Sequence, residues 1–495
     1  MVKKKDVLLI GPYNSEVIRT GQYLSPPFGI YRMASYLEKE GLARVDVVDP
    51  TLNYNETNEK IRGKKYDIIG HSILHPTLEE NLRLALQTYK ISPDSLQIAG
   101  GQGATFNAKE IITKTPIKIV GRGFGEYLLK QIIENKPLNE IKGLYLPREE
   151  GIISTGIMKR MSLDEFRNIS LHIDFNKIPY SKYWEFMEEQ YNQEHVCAMN
   201  GEGMLKTVRL TLSNYCPMGC THCSSTNFLE NQKLLFLDPK EIIHIMKQAT
   251  NAHPDTETFY FCDDNFFLLR KKKILEFCDL TKGLDKKYNL MLLGRVDEVD
   301  KETLFEMGKA GFKNHFYGIE TFSNRLALED IQKIKSEKYD YADLARKMLH
   351  TTMDAGITAQ ISLMLFLPSS RQEDLETTIE NTLDLMEVGA KVTIFPYVEA
   401  YSGAEIVNNH ELSYKEFQIE NEHFKIPYLV LPDDKNIRIL AEKSIELKKE
   451  LNQSKRWEKF MGRIPQPVDS LNLFYSIYNL SGNSTKRIEN MLEKY

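Results

Sequence analysis

Residues 207–223 read TVRLTLSNYCPMGCTHC. The run TVRLTLS alternates apolar and polar residues as a half-buried strand does. It then gives way to a loop that carries Pro217, Gly219 and three cysteines, Cys216, Cys220 and Cys223. The chain has 6 cysteines in 495 residues, so half of them stand in this one loop. A strand that delivers such a loop sets the frame for everything on either side of it.

Toward the C-terminus the same strand–helix alternation continues. TFYFCDD, LMLLGRV, NHFYGIE, AQISLMLFLP and VTIFPYV read as strands, separated by helical stretches such as DPKEIIHIMKQAT and KETLFEMGKAG. Counting TVRLTLS, this predicts a partial (β/α)6 barrel of TIM type over residues 206–404, with chemistry at the carboxyl ends of its strands. Residues 405–495 read as a mostly helical tail with Lys/Glu-rich faces. Toward the N-terminus, DVLLIG, RVDVVD, YDIIGHSIL, LQIAGG and IKIVGRG alternate with helical stretches. They predict a doubly wound parallel sheet, flavodoxin- or Rossmann-like, over residues 1–145. Its glycines, among them Gly70, Gly101, Gly103 and Gly123, fall at the strand ends where such sheets bind ligands. Residues 146–205 are rich in aromatics but have no sustained period, and are expected to connect and pack between the two halves.

Composition excludes several classes. Hydrophobic residues at 42% and charged residues at 27% are ordinary for a globular protein, and 495 residues suggest two to four domains. A net charge of -5 leaves no basic field for nucleic acid. No apolar run is long enough to cross a bilayer, and the apolar stretch in MVKKKDVLLIGPYN is too short for a signal peptide. The expected location is the cytoplasm, where clustered cysteines bind metal or do chemistry rather than form disulfides.

A structural zinc site takes four ligands, usually as two separated pairs, and no second pair answers this loop. His222 is adjacent to Cys223 and poorly placed to share its ion. Three cysteines holding a [4Fe–4S] cluster instead leave one iron open to a substrate or cofactor. The remaining cysteines, Cys197, Cys262 and Cys278, are scattered and read as core residues.

Cys216, Cys220 and Cys223 match the CxxxCxxC signature of radical SAM enzymes, which the second half of the chain resembles. The resemblance implies that the three thiolates hold a [4Fe–4S] cluster whose open iron chelates S-adenosylmethionine. One electron then cleaves the sulfonium and releases a 5′-deoxyadenosyl radical. His222 stands where the family usually has an aromatic residue, and its flat ring suits the adenine. FCDDNFF looks like the second-strand segment of that family, so Asp263 or Asp264 is expected at the methionine ammonium. Glu320, ending YGIE, is expected at the ribose or amino group, while Arg295 fits a structural ion pair as well as a ligand contact.

VLLIGPYN, IAGGQGATF and VGRGFGEYLL resemble the cobalamin-binding domain fused to many of these enzymes. That resemblance implies cobalamin as a cofactor, held by Ser72, Gly101, Thr105, Gly123 and Glu126. Two departures stand out. The DxHxxG motif that places a histidine under the cobalt is absent, and Gly103 stands where many relatives have histidine. His71 and His75 are the only histidines of residues 1–145, and neither lies on the loop that normally carries the ligand. A missing lower ligand suits methyl transfer to a carbon radical. The expected function is therefore methylation of an unactivated carbon in a small-molecule or peptide substrate. Cyclisation or rearrangement with the same cofactors is the near alternative. An iron–sulfur electron-transfer protein and a zinc-stabilised interaction protein are the alternatives of other classes. A flavodoxin or ferredoxin is expected as electron donor.

Overall fold

The structure is a computed structural model, and it describes residues 4–15, 24–192, 206–229, 232–336, 340–460 and 464–495. Cys197 lies outside the described residues. The first sheet has seven strands: β1 (Lys5–Ile10), β2 (Ala43–Val48), β3 (Ile68–Ser72), β4 (Leu96–Gly100), β5 (Ile119–Gly121), β6 (Leu144–Arg148) and β7 (Gly151–Ser154). Their order is β2-β1-β3-β4-β5-β6-β7. The first five are parallel, and β6 and β7 close the edge antiparallel. Chain direction across the sheet reverses between β1 and β3, the switch point at which doubly wound sheets bind ligands. Val7, Leu8, Leu9 and Ile10 of β1 are buried, as expected of a central strand covered on both faces.

The second sheet holds β8 (Thr207–Leu210), β9 (Thr258–Phe261), β10 (Asn289–Gly294), β11 (Phe312–Glu320), β12 (Thr358–Phe366) and β13 (Lys391–Glu399). These six pair in parallel and in sequence order, which makes the partial barrel. Phe259, Phe261, Phe266, Phe277 and Phe312 form an aromatic core between strands and helices.

Three features were not read from the sequence. Residues 163–170 and 180–192 are helices, in the stretch expected to lack a period. The first has a capping-box signal, Ser162 and Glu165, whose side chains satisfy each other's backbone N–H groups. The edge strands β6 and β7 are a second omission. The third is a hairpin, β14 (Leu412–Ile419) and β15 (Glu422–Val430), which opens residues 405–495 and pairs antiparallel with β13. Helices follow at Lys435–Asn452, Gln466–Ser481 and Lys486–Leu492. Among the described residues no helix is long and apolar enough to cross a membrane.

The hairpin matters because it also packs on the first sheet's helices. Ile419, Phe424 and Ile426 share one apolar cluster with Leu78, Leu82, Ala85, Ala104 and Ile111. Arg83 donates to the Gln418 carbonyl at 2.7 Å, and Lys114 to the His423 carbonyl at 2.7 Å. The two halves are thereby fastened with the carboxyl ends of both sheets turned toward one seam.

Candidate active site

The cysteine loop begins where β8 runs out, and one buried carboxylate holds it there. Asp263 accepts the Leu212 N–H at 3.0 Å, the Ser213 N–H at 2.6 Å and the Ser213 hydroxyl at 2.6 Å. Its oxygens are thus committed to the protein, and burial raises its pKa to about 7. This bonding ties Asp263 to the end of β8, and of the two carboxylates expected at the methionine ammonium, Asp263 or Asp264, it is the one held by backbone. Asp264 is different: it is open to the space above the barrel, yet surrounding protein raises its pKa, and its charge is felt by Cys216 and Cys223.

Gly219 has φ +67°, which gives the loop its tight bend between Cys216 and Cys220. The Cys223 N–H donates to the Cys220 carbonyl at 3.0 Å, and the Thr221 N–H to the Ile331 carbonyl at 3.2 Å. The Ser225 N–H donates to the Cys223 sulfur at 3.4 Å. Arg295 donates to the Cys220 sulfur at 3.3 Å while holding Asp297 with two bonds of 3.0 and 2.6 Å. It thus makes the structural ion pair and adds a bond to one cysteine of the loop. The three thiols are half-buried, and burial pushes Cys216 up to about 12 and Cys223 upward as well. Among the described residues no three His, Cys, Asp or Glu side chains converge as around a single ion. Three soft thiols, one receiving a guanidinium hydrogen bond, are the ligand type that an iron–sulfur cluster takes. Cys278 is buried in the core, and Cys262 packs beside Tyr260 and Met291.

Glu320 stands at the end of β11, at a register shift, with φ +70°. A non-glycine residue in that region is strained, and such strain gathers at functional sites. Its carboxylate lies 3.3 Å from the Lys333 ammonium and 4.0 Å from His222 Nε2. Burial lowers the His222 pKa to about 4, so the imidazole is neutral and the latter contact is not an ion pair. His222 Nδ1 is buried with no hydrogen-bond partner, an orphan that suits a ligand at this position. Lys333, also buried, was missed in the sequence, because it lies 13 residues beyond Glu320 on a segment with no motif of its own.

In the first sheet, β1, β3, β4 and β5 open onto an apolar cavity of about 120 Å3. Ser72, Gly101 and Gly123 line it, as do Gly70, Gly121 and Gly125. Added Cβ atoms would fill this cradle: at Gly125 one would lie 2.4 Å from Met33, and at Gly70 2.9 Å from Leu9. Thr105 and Glu126 do not line the cavity. Thr105 donates to the Gly121 carbonyl at 3.2 Å, and Glu126 turns inward to Arg32 at 2.7 Å. Gly103 is explained by space, since a Cβ there would meet the Leu74 backbone at 2.6 Å. His71 is buried with Nε2 2.8 Å from Gln97 Oε1. His75 lies edge-on to Tyr401, ring centroids 5.2 Å apart.

The two cradles meet. Ser224, next to Cys223, donates to Gln102 Oε1 at 3.2 Å, and Phe228 contacts Phe106 with centroids 6.3 Å apart. Asn227 Nδ2 donates to the Gly403 carbonyl at 2.7 Å, and Gly403 sits so close to Phe106 that a Cβ would fall 2.1 Å from its ring. Residues 102–106, just past the cavity glycine Gly101, thus lie against the helix that follows the cysteine loop.

Comparison with known proteins agrees with this geometry. The B12 binding domain family matches residues 15–133, and the Radical SAM superfamily matches residues 210–381. The chain carries a B12 binding domain followed by a radical SAM domain. Its cofactors are accordingly a [4Fe–4S] cluster, S-adenosylmethionine and cobalamin. Among curated relatives, the anaerobic magnesium-protoporphyrin IX monomethyl ester cyclase of Cereibacter sphaeroides is 24% identical over 381 residues, 72% of this chain and 56% of the relative. The protein of the same name from Rubrivivax gelatinosus is 22% identical over 428 residues, 82% of this chain and 70% of the relative. The chain thus spans little more than half the length of the former. Among solved structures, the radical S-adenosylmethionine methyltransferase TsrM from Kitasatospora setae superposes with a TM-score of 0.70 at 12% identity, covering 89% of this chain and 88% of that one. The cobalamin-dependent S-adenosylmethionine radical enzyme OxsB superposes with a TM-score of 0.70 at 16% identity, covering 99% and 75%. At these identities the two superpositions establish the fold.

Proposed function

We propose that the enzyme transfers a methyl group to an unactivated carbon of a small-molecule or peptide substrate held between its two cofactor sites. When bound, S-adenosylmethionine on the reduced cluster supplies the radical that removes hydrogen, and cobalamin carries the methyl group. Cys216, Cys220 and Cys223 are the residues that would hold the cluster, and three thiols would leave room on it for S-adenosylmethionine. Glu320 and Lys333, with the orphaned His222 Nδ1, present an anion, a cation and a neutral acceptor or donor to the zwitterion and adenosine of S-adenosylmethionine. Asp264 offers a second carboxylate from the β9 side. The observation that carries methyl transfer is the loop after β3. His71 is tied to Gln97 and His75 turns to Tyr401, while Leu74 is 43% exposed. His71 lines the cavity with Nε2 tied to Gln97, and His75 packs on Tyr401, so a cobalamin held here would meet no histidine already turned to it, which would favour transfer of its methyl group to a carbon radical.

Cyclisation is the second reading, supported by similarity to two cyclases over 72% and 82% of the chain. One experiment separates them. The anaerobically reconstituted enzyme is given S-adenosylmethionine deuterated in its methyl group and a small-molecule and peptide extract. Methyl transfer predicts a product that gains the labelled methyl. A product that loses hydrogens and carries no label establishes cyclisation instead.

A further inference from the structure

On the outer face of the first domain, a cleft of about 370 Å3 runs between the helix Gly125–Ile133 and the segment 158–161. Phe124, Met158 and Met161 are among its apolar lining. Lys136, Lys142, Lys159 and Arg160 line it as well, against Glu140 and Glu165. Lys130, a fifth cation, is held by Glu40 at 2.6 Å, Lys159 lies 4.0 Å from Glu165, and Lys136 donates to Gln131 Oε1 at 3.0 Å. The chain as a whole has a net charge of -5, so this is a local reversal of sign. Three large apolar side chains stand exposed close by in sequence: Leu138 at 37%, Ile157 at 50% and Leu163 at 37%. The excess of cations in the cleft is complementary to an acidic partner.

The cleft is also joined to the cysteine loop. The loop runs directly into the single turn Ser225–Phe228. Arg122 donates to the carbonyls of Asn227 and Phe228, and a Cβ added at its neighbour Gly123 would fall 3.0 Å from Met158. Gln232 donates to the Lys159 carbonyl at 3.3 Å and accepts the Met161 N–H at 3.0 Å. The cleft segment 159–161 and Gln232, nine residues past Cys223, thus share direct bonds.

We propose that the cleft of Lys136, Lys142, Lys159 and Arg160 is the docking surface for an acidic, low-potential electron-carrier protein that reduces the cluster. The inference rests on the radical SAM chemistry above, which consumes one electron for each S-adenosylmethionine cleaved. That electron leaves the carrier, which is oxidised by one electron, and enters the cluster. It is consumed when the sulfonium C–S bond breaks to give methionine and the 5′-deoxyadenosyl radical. Opposite charge steers such partners together and makes the encounter salt-dependent.

The test compares two reductants on the anaerobically reconstituted enzyme, with 5′-deoxyadenosine as the readout. One is dithionite, which needs no docking, and the other is an acidic flavodoxin reduced to its hydroquinone. The informative quantity is the ratio of the flavodoxin-driven to the dithionite-driven rate, which cancels any general loss of cluster. In the double variant Lys142→Glu/Lys159→Glu the ratio should fall at least tenfold, and in Lys142→Arg/Lys159→Arg it should stay within twofold of wild type. For wild type alone the ratio should fall as salt rises. A ratio unchanged by the double charge reversal overturns the proposal. Absence of 5′-deoxyadenosine with dithionite would instead overturn the radical SAM reading on which it rests.

Discussion

At the scale of single residues, the site rests on a few side chains with separable duties. Each of Cys216→Ala, Cys220→Ala and Cys223→Ala should abolish cluster-bound iron and its visible absorption; a variant with a full complement of iron would dismiss that thiol as a ligand. Glu320→Gln removes the charge facing Lys333. Hydrogen bonds to charged groups contribute about 1.5–3 kcal/mol, so S-adenosylmethionine should bind about tenfold or more weakly with iron content unchanged. Equal affinity would make Glu320 a structural partner of Lys333 alone. The buried histidines give a pH prediction. Burial lowers His71 to about 4 and His315 to about 3, against 6.5 in an unfolded chain. Below pH 6.5 the unfolded chain takes up protons that the folded chain refuses, so stability is lost as pH falls from 6.5 toward 4. At pH 5 each contributes a loss of about 2 kcal/mol. His71→Gln should therefore shrink the drop in urea midpoint between pH 7.5 and pH 5; an undiminished drop would mean that His71 is not the group responsible.

At the scale of elements, what was legible in the sequence followed period and punctuation. The five parallel strands of the first sheet and the six of the barrel were legible because buried parallel strands read as apolar runs ending in glycine or acid. The three cysteines were legible because spacing alone restricts their chemistry. The hairpin β14–β15 was not. Its strand Glu422–Val430 contains Pro427, and its outward residues Tyr414 and Tyr428 are half-exposed, so it carries no clean alternation. Asp263 and Asp264 are neighbours with opposite fates, and only the fold shows that one pins β8 while the other faces the chamber. Lys333 and the ring of His75 against Tyr401 likewise depend on contacts between distant segments. The hairpin is the element on which the seam depends. Phe424 is fully buried, stacked on Phe417 with centroids 5.0 Å apart and set against helix Leu78–Ile91. Phe424→Ala should destabilise the seam by about 3–5 kcal/mol. Hydrogen exchange should quicken in residues 78–91 and 412–430 while iron content holds. Unchanged exchange there would mean that the halves are fastened elsewhere.

At the scale of the whole molecule, two ligand-binding sheet ends that occur separately in other folds are turned toward one another. The switch point of the first sheet and the top of the barrel share a seam through Gln102, Phe106, Ser224, Asn227 and Gly403. A cleft of about 920 Å3, lined by His75, Glu399 and the hairpin, opens beside that seam. The central claim is that the cobalamin and cluster sites face one chamber. Electron paramagnetic resonance of the enzyme loaded with cob(II)alamin and a reduced [4Fe–4S] cluster tests it most directly, because neighbouring unpaired spins broaden and split each other's signals. The account predicts a cob(II)alamin signal that is broadened or split when the cluster is reduced and sharpens again when it is oxidised. A spectrum equal to the plain sum of the two separate signals would contradict it.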